Sequence, residues 1–483
     1  MFCSNKRVIL LIGILMFTAM LRSFEHKALW VTPWDMTSEE KIDEVVTNAR
    51  EWGITDLLVE VRYRGDALYI PNKKNKLFAN PEPVSYILKN QDIDPLDLFI
   101  SKAKMKNIKV HAWVTVLVVT PKTLNDICQS HIYFQNPDWM TYDSLEKRIQ
   151  HSQFEGAYLD PGLSEVRDYL VNVFADIVAN YNIDGLHLDY IRYPGTDYGY
   201  NPVSIKRYND LTRIIGNLDF NEWKEKQISS LVSQINQKTK SIKPNLILSA
   251  AVISDIDQAR GRYAQNWFDW LNQNIIDKVY LMAYQADDYA FNTVMNKIPE
   301  RFNQKIVVGL RAWSDNNSYS VDNIKSKITA INRRSDNSSF KGISFFSYNG
   351  ILQRNYQSAV MSFNIYDNTL NIKDSAVLDL DLQQPVIVNT YTVDNQLYLR
   401  LLNISEYKTG NWKLYNDSDK LIAEGNFNDR DLSFALPEFI LGMEQLVLAY
   451  NLNDKDYRKT INLQELSMSV IDGGINEIRF ITK

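Results

Sequence analysis

Residues 182–194, NIDGLHLDYIRYP, set His187, Asp189 and Arg192 within a run whose other alternate positions are apolar. A carboxylate, an imidazole and a guanidinium this close together are groups that can move protons and stabilise developing charge. VEVRYRGD has the same texture, with Glu60, Arg62 and Arg64 alternating with Val59, Val61 and Tyr63, and Asp66 following. KVHAWVT adds His111, Trp113 and Thr115. Successive side chains of a strand face opposite sides. The spacing therefore predicts that His187 and Asp189, then Glu60, Arg62 and Arg64, and then His111 and Trp113 each share one face, while Leu186, Leu188 and Tyr190 take the other. Enclosed polar groups are costly unless paired. The pattern implies either a bound polar ligand or an interior network, with Arg62 and Asp189 as its candidate pair.

Eight strand-like runs position these residues: KALWVTPW, TDLLVEVRYR, IKVHAWVTV, DGLHLDYIRY, LILSAAVIS, DKVYLMAYQ, KIVVGLRAW and GISFFSY. Amphipathic stretches such as SEEKIDEVVTNAREW, SEVRDYLVNVFADIVANY and SVDNIKSKITAINRR lie between them, several opening on Ser with an acidic residue next, as helix N-termini prefer. Eight βα repeats predict an α/β fold, a closed (β/α)8 TIM barrel whose inward side chains meet at the C-terminal ends of the strands. No glycine-rich phosphate loop follows the first strand, which argues against an open nucleotide-binding sheet. After residue 370 the runs PVIVNTYTV, QLYLRLLNI, NWKLYND, KLIAEGNF, DLSFALPEF, EQLVLAYNL and YRKTINL are separated by turn residues rather than helices. They predict an all-β immunoglobulin- or fibronectin-like sandwich.

The chain has 483 residues, 45% of them hydrophobic, enough for more than one core. A net charge of -5 with scattered Lys and Arg excludes a nucleic-acid surface. VILLIGILMFTAML, preceded by basic residues, predicts an export signal over residues 1–23, with an uncleaved membrane anchor as the alternative. The expected organisation is thus residues 1–23 as signal, 24–365 as barrel and 370–483 as sandwich, in a periplasmic or extracellular protein. Beyond the signal only Cys128 remains, so no intramolecular disulfide is available.

Trp30, Trp34, Trp113, Tyr284, Trp313 and Tyr348 fall on or just after expected strands. Rings that stack on pyranoses, together with carboxylates and Arg, suit a carbohydrate cleft. Glycoside hydrolysis uses two carboxyl groups. Asp189 is the first candidate, with its partner among Glu60, Asp66, Asp255 and Asp287, all near expected C-terminal strand ends or loops; Glu60 and Asp66 are named with Asp189 as the catalytic set. Arg62, Arg64, His111, Trp113, His187, Arg192, Trp34, Tyr284, Gln285, Trp313 and Tyr348 are the expected substrate contacts. No metal or cofactor is called for, and the expected partner is a glycan. Two rivals are a sugar-binding barrel without catalysis and a metal-dependent deacetylase using His111, His187 and Asp189.

On these residues the chain resembles the glycosyl-hydrolase-like family 10 proteins of bacteria. LWVTPW is similar to that family's first strand, VEVRYRGDALY to its Arg-x-Arg-Gly-Asp-Ala-x-Tyr motif, and HAWV to its third strand. YLDPGLSEVRDYL resembles a helix start of the family, DGLHLDYIRYP its most specific signature, and AQNWFDWLNQNIIDKVYLMAYQ its fifth-helix and sixth-strand segment. The resemblance covers the barrel and implies a glycosidase acting on a bacterial or other β-linked polysaccharide, with one branch associated with peptidoglycan glycan strands. Glu60 stands where the family usually has Gln, and VTVLVV replaces an Asn-Pro-type end of the third strand. DGLHLDYIRYP and YLMAYQ also resemble chitinase motifs, but Ile191 occupies the position of the chitinase acid and Gln285 that of an Asp.

Overall fold

The computed structural model describes residues 26–362, apart from 89–91, 314–318 and 333–339, together with strands lying between residues 386 and 482. The apolar run expected to be an export signal lies outside the described residues. The chain divides into two compact units, Met1–Ile365 and Tyr366–Lys483.

In the first unit the strands are β1 (His26–Val31), β2 (Asp56–Tyr63), β3 (Asp66–Ala67), β4 (Lys109–Thr115), β5 (Gly185–Asp189), β6 (Ile247–Ile253), β7 (Lys278–Met282), β8 (Ile306–Arg311) and β9 (Gly342–Phe346). All but β3 run parallel, and β1 is hydrogen-bonded to both β2 and β9, which closes the barrel. β3 is a two-residue antiparallel return against β2. The eight expected runs are these eight parallel strands.

Both faces of the strands are buried, so their sequences are nearly continuous in apolar or tightly paired residues. Leu29, Val31, Val59, Leu186, Leu188 and Leu248 pack outward into the layer shared with the helices. Ala28, Trp30, Leu58, Trp113, Tyr280 and Val307 fill the interior. The Trp30 indole lies 5.8 Å from each of His187, Tyr280 and Phe346. Burying one such ring, roughly 200 Å² at about 25 cal/mol per Å², contributes about 5 kcal/mol before entropy is charged against it. Gly309 makes room for this packing, because a Cβ there would come within 2.6 Å of the Leu281 carbonyl oxygen and 3.3 Å of the Trp30 ring.

The helix Glu39–Glu51 begins as expected, with Ser38 accepting from the Lys41 N–H. Ser320 likewise accepts from the Asn323 N–H ahead of Val321–Asn332. The helix Ser164–Asn180 differs: Ser164 lies inside the first turn and Leu163 occupies the cap position. The preceding turn is held instead by Asp160, whose Oδ1 accepts from the Gly162 N–H at 2.8 Å.

Two expectations about strand faces fail. Between β2 and β4 the register slips, Glu60 pairing with Trp113 and Arg62 with Val114, so two β2 residues span one of β4. Such a bulge reverses the alternation beyond it. Glu60 therefore faces inward with Trp113, whereas Arg62 turns outward with Val114. Tyr190 departs from alternation for another reason: β5 ends at Asp189, and Tyr190 adopts a left-handed backbone with φ 51°.

In the second unit β10 (Val386–Val393), β11 (Gln396–Asn403), β12 (Gly410–Asn416), β13 (Leu421–Phe427), β14 (Leu432–Ala435), β15 (Gln445–Leu452) and β16 (Lys455–Asn462) coincide with the seven expected runs. They form antiparallel sheets of order β10-β11-β14 and β13-β12-β15-β16. A further hairpin, β17 (Leu466–Val470) with β18 (Ile478–Thr482), was not anticipated from the sequence. Among the described residues no helix is long and apolar enough to cross a membrane.

Candidate active site

Asp189 is the last residue of β5, one inward position beyond His187. Its Oδ2 accepts from the Trp113 indole N–H at 3.2 Å and its Oδ1 from the Tyr190 N–H at 2.7 Å. Arg192 brings a guanidinium nitrogen to 3.7 Å from Oδ1 while its charge lies over the Tyr190 ring at 4.5 Å. Burial raises the Asp189 pKa, opposed by Arg192, the Tyr190 N–H and Trp113. Glu60 lies in the same interior, and burial together with the Asp189 charge pushes its carboxyl well above the usual range, against a smaller opposing effect of Arg64. A charge on one of two neighbouring buried carboxyl groups disfavours ionisation of the other.

Arg64 also reaches this region. Its backbone is left-handed at φ 55°, its N–H donates to Thr115 Oγ1 at 2.9 Å, and its guanidinium lies 5.2 Å from the Tyr63 ring and 6.0 Å from that of Tyr190. Trp34 is half exposed and stands edge-on to Tyr63 at 5.4 Å. Tyr284 packs on Trp313 at 5.0 Å and on Phe346 at 6.0 Å, and Phe346 contacts Trp113 at 6.1 Å. The Asp189 charge also acts on the Tyr284 hydroxyl. A continuous aromatic wall thus runs from Trp113 to Trp313. Gln285 donates to Ser254 Oγ at 3.3 Å and keeps Oε1 buried without a partner among the described residues.

Several expected contacts lie elsewhere. Arg62 is wholly buried and pairs with Glu82 at 2.6 Å, not with Asp189; it also donates to the Thr115 and Val116 carbonyls. Its outward turn after the bulge is the cause. Asp66 sits in that same pocket, 3.7 Å from His131, where burial and the nearby Glu82 charge raise its pKa to about 8. His111 is held by Asp56 at 2.9 Å, four residues before the end of β4 and away from the strand ends. His187 is fully buried, bonded to Ser249 at 2.9 Å and packed on Tyr280 at 4.8 Å. Burial, and then the His111 charge, lowers its pKa. Tyr348 stacks on Trp52 in the helix layer, and its hydroxyl accepts from Asn48. Asp255 and Asp287 cap helices, accepting from the Gln258 and Ala290 N–H groups. Among the described residues no three metal-ligating side chains converge, so His111, His187 and Asp189 form no ligand set.

Sequence reasoning missed Glu155. Its carboxylate accepts from the Tyr158 hydroxyl at 2.8 Å, and its charge acts on Asp189, Tyr190 and Arg192. With Tyr63, Arg64, Pro121, Lys122 and Phe154 it bounds a hollow of about 560 Å³. The available signal was its place three residues before YLDPGLSEVRDYL; no strand period reaches it. Phe346 was missed in the same way, as one Phe of two in GISFFSY.

The sequence profile of a family described as Glycosyl hydrolase-like 10 matches residues 25–327. Glycosyl hydrolase YngK of Bacillus subtilis (strain 168) is 25% identical over 221 residues, covering 44% of this chain and 40% of YngK. Glycosyl hydrolase DigH of Escherichia coli (strain K12) is 25% identical over 260 residues, covering 48% of this chain and 55% of DigH. The chain spans about half the length of the curated relatives it matches. The PgaB (BpsB) glycoside hydrolase domain from Bordetella bronchiseptica superposes with a TM-score of 0.52 over 70% of this chain and 98% of that domain, at 12% identity, a likeness of fold.

Proposed function

Because this chain belongs to the glycosyl hydrolase-like 10 family, we propose that it hydrolyses O-glycosidic bonds in a β-linked polysaccharide or bacterial cell-wall glycan, with Asp189 as a catalytic carboxylate. The observation that carries this reading is the placing of Asp189 at a strand end, oriented by Trp113, with its charge acting on the buried Glu60. Glu60, whose carboxyl is pushed well above the usual range by burial and by the Asp189 charge, is suited to donate a proton to the leaving oxygen. Asp189, with Arg192 beside it, either attacks the sugar carbon, to be displaced later by water, or takes the proton of a water that attacks it, as the bond to the leaving oxygen breaks. Arg64 and Arg192 bind hydroxyls, and Trp34, Tyr284 and Trp313 supply ring faces. Asp66, in the Arg62 pocket, has no part in this step.

The wider reading includes export, with residues 1 to about 23 removed, and a C-terminal sandwich over 370–483 built from the two antiparallel sheets. A sugar-binding barrel without turnover is favoured by one observation: Ile191, at the position of the chitinase acid, is fully buried in the outer apolar layer. Incubating the protein with a panel of cell-wall and plant polysaccharides, followed by mass analysis of soluble products, decides between them. Shortened oligosaccharides are expected from the wild type and not from Asp189→Asn. Glycan binding with no product would establish the non-catalytic barrel.

A further inference from the structure

A second hollow adjoins the one beside Glu155. Its volume is about 620 Å³, and it is bounded by Phe154, the turn Pro194–Tyr198 and the exposed side of the helix Ile256–Tyr263. Phe154 lines both hollows. Each volume lies within the span of roughly 300–1,000 Å³ found for small-ligand sites. Phe154 is an exposed ring on a left-handed backbone, φ 47°, fixed edge-on against Tyr198 at 5.3 Å. A bulky residue held in that region costs conformational energy that the neighbouring structure must offset. Tyr198 and the bond from the Gly156 N–H to the Gln153 carbonyl do so here.

The far wall is polar and of mixed charge. Asp197, Gln258 and Arg262 present donors and acceptors, and Asp257 is already neutralised by Lys297 at 3.0 Å. An aromatic platform flanked by hydrogen-bonding groups matches a pyranose ring, apolar on its faces and polar around its edge. Space is also left on the helix: at Gly261 a Cβ would meet nothing within 4 Å.

We propose that the second hollow is an additional sugar-binding subsite for the same glycan chain, with Phe154 as the platform between the two hollows, so that the protein holds several consecutive sugars and cuts at internal linkages. The cutting rests on the glycosidase reading; the binding does not.

The test compares wild type, Gly261→Trp and Phe154→Ala as full chains. Calorimetry measures binding of two-unit and six-unit β-1,4-linked fragments of glucan, mannan, N-acetylglucosamine polymer and peptidoglycan glycan. Gly261→Trp fills the hollow from an open position on a helix, where replacing Gly removes a conformational penalty, so its melting temperature should match or exceed that of wild type. The expected result is at least a tenfold loss of six-unit affinity in both variants, with the two-unit affinity of Gly261→Trp within twofold of wild type. Product sizes on the long fragment should shift toward terminal cleavage. Equal six-unit affinity in wild type and Gly261→Trp overturns the subsite, even with hydrolysis intact. So does a wild type that binds none of the six-unit fragments. Differential binding without any product upholds the subsite and overturns the glycosidase reading.

Discussion

At the scale of single residues, the two interior carboxyl groups carry opposite expectations for stability and activity. Asp189 is held by neutral donors and by Arg192 at 3.7 Å, while the buried Arg62 is satisfied by Glu82. Asp189→Asn therefore leaves Arg62 paired, while the buried Arg192 loses an ion-pair contact of 3.7 Å and keeps its place over the Tyr190 ring. Hydrolysis is expected to fall by orders of magnitude with a melting temperature close to wild type, to be checked on one preparation. Loss of folding instead would assign Asp189 a structural role. Glu60 has its pKa raised in the folded state, so the unfolded chain releases its proton first as the pH rises, and the native state loses stability from the ordinary carboxylate range upward. Glu60→Gln removes that penalty. Its urea midpoint should exceed that of wild type at pH 8 and approach it at pH 4, while its hydrolytic rate falls if the proton comes from Glu60.

At the scale of elements, the β2 bulge and the segment after β3 form one unit. The slip between Glu60 and Arg62 sends a guanidinium into the helix layer, where Glu82 neutralises it, the Tyr169 hydroxyl donates to Glu82 at 2.7 Å and the Phe174 ring lies 5.9 Å from the charge. A buried pair of this kind is costly to break and not always costly to replace. Glu82→Ala should lower stability by about 3–5 kcal/mol in urea unfolding, because it leaves Arg62 charged and enclosed. The paired change Arg62→Met with Glu82→Leu should recover most of that loss. If Glu82→Ala unfolds at the wild-type urea concentration, the pair does not hold this segment.

At the scale of the whole molecule, the barrel closes through β1 alone, and its strands and helices all lie within the first compact unit. A shortened chain ending near Phe363 should therefore keep a cooperative thermal transition and the near-ultraviolet signal of its packed interior rings. Aggregation of that chain beside a soluble full-length protein would show the two units to be one cooperative body. The sequence by itself determined the eight parallel strands, the helix starts at Ser38 and Ser320, seven of the nine described strands beyond residue 385 and the inward placing of Asp189 and Glu60. Each of these follows from a local period of two or 3.6 or from a local cap. Only the tertiary structure decided the fate of Arg62, since a bulge is a mismatch between two strands and neither strand contains it alone. It also decided that Asp255 and Asp287 cap helices, that Tyr348 stacks in the helix layer, that the Glu155 charge reaches Asp189, and that Phe346 packs on Trp113. These depend on which loops a closed barrel brings to the same end, a long-range consequence of register and closure that no short window of sequence records.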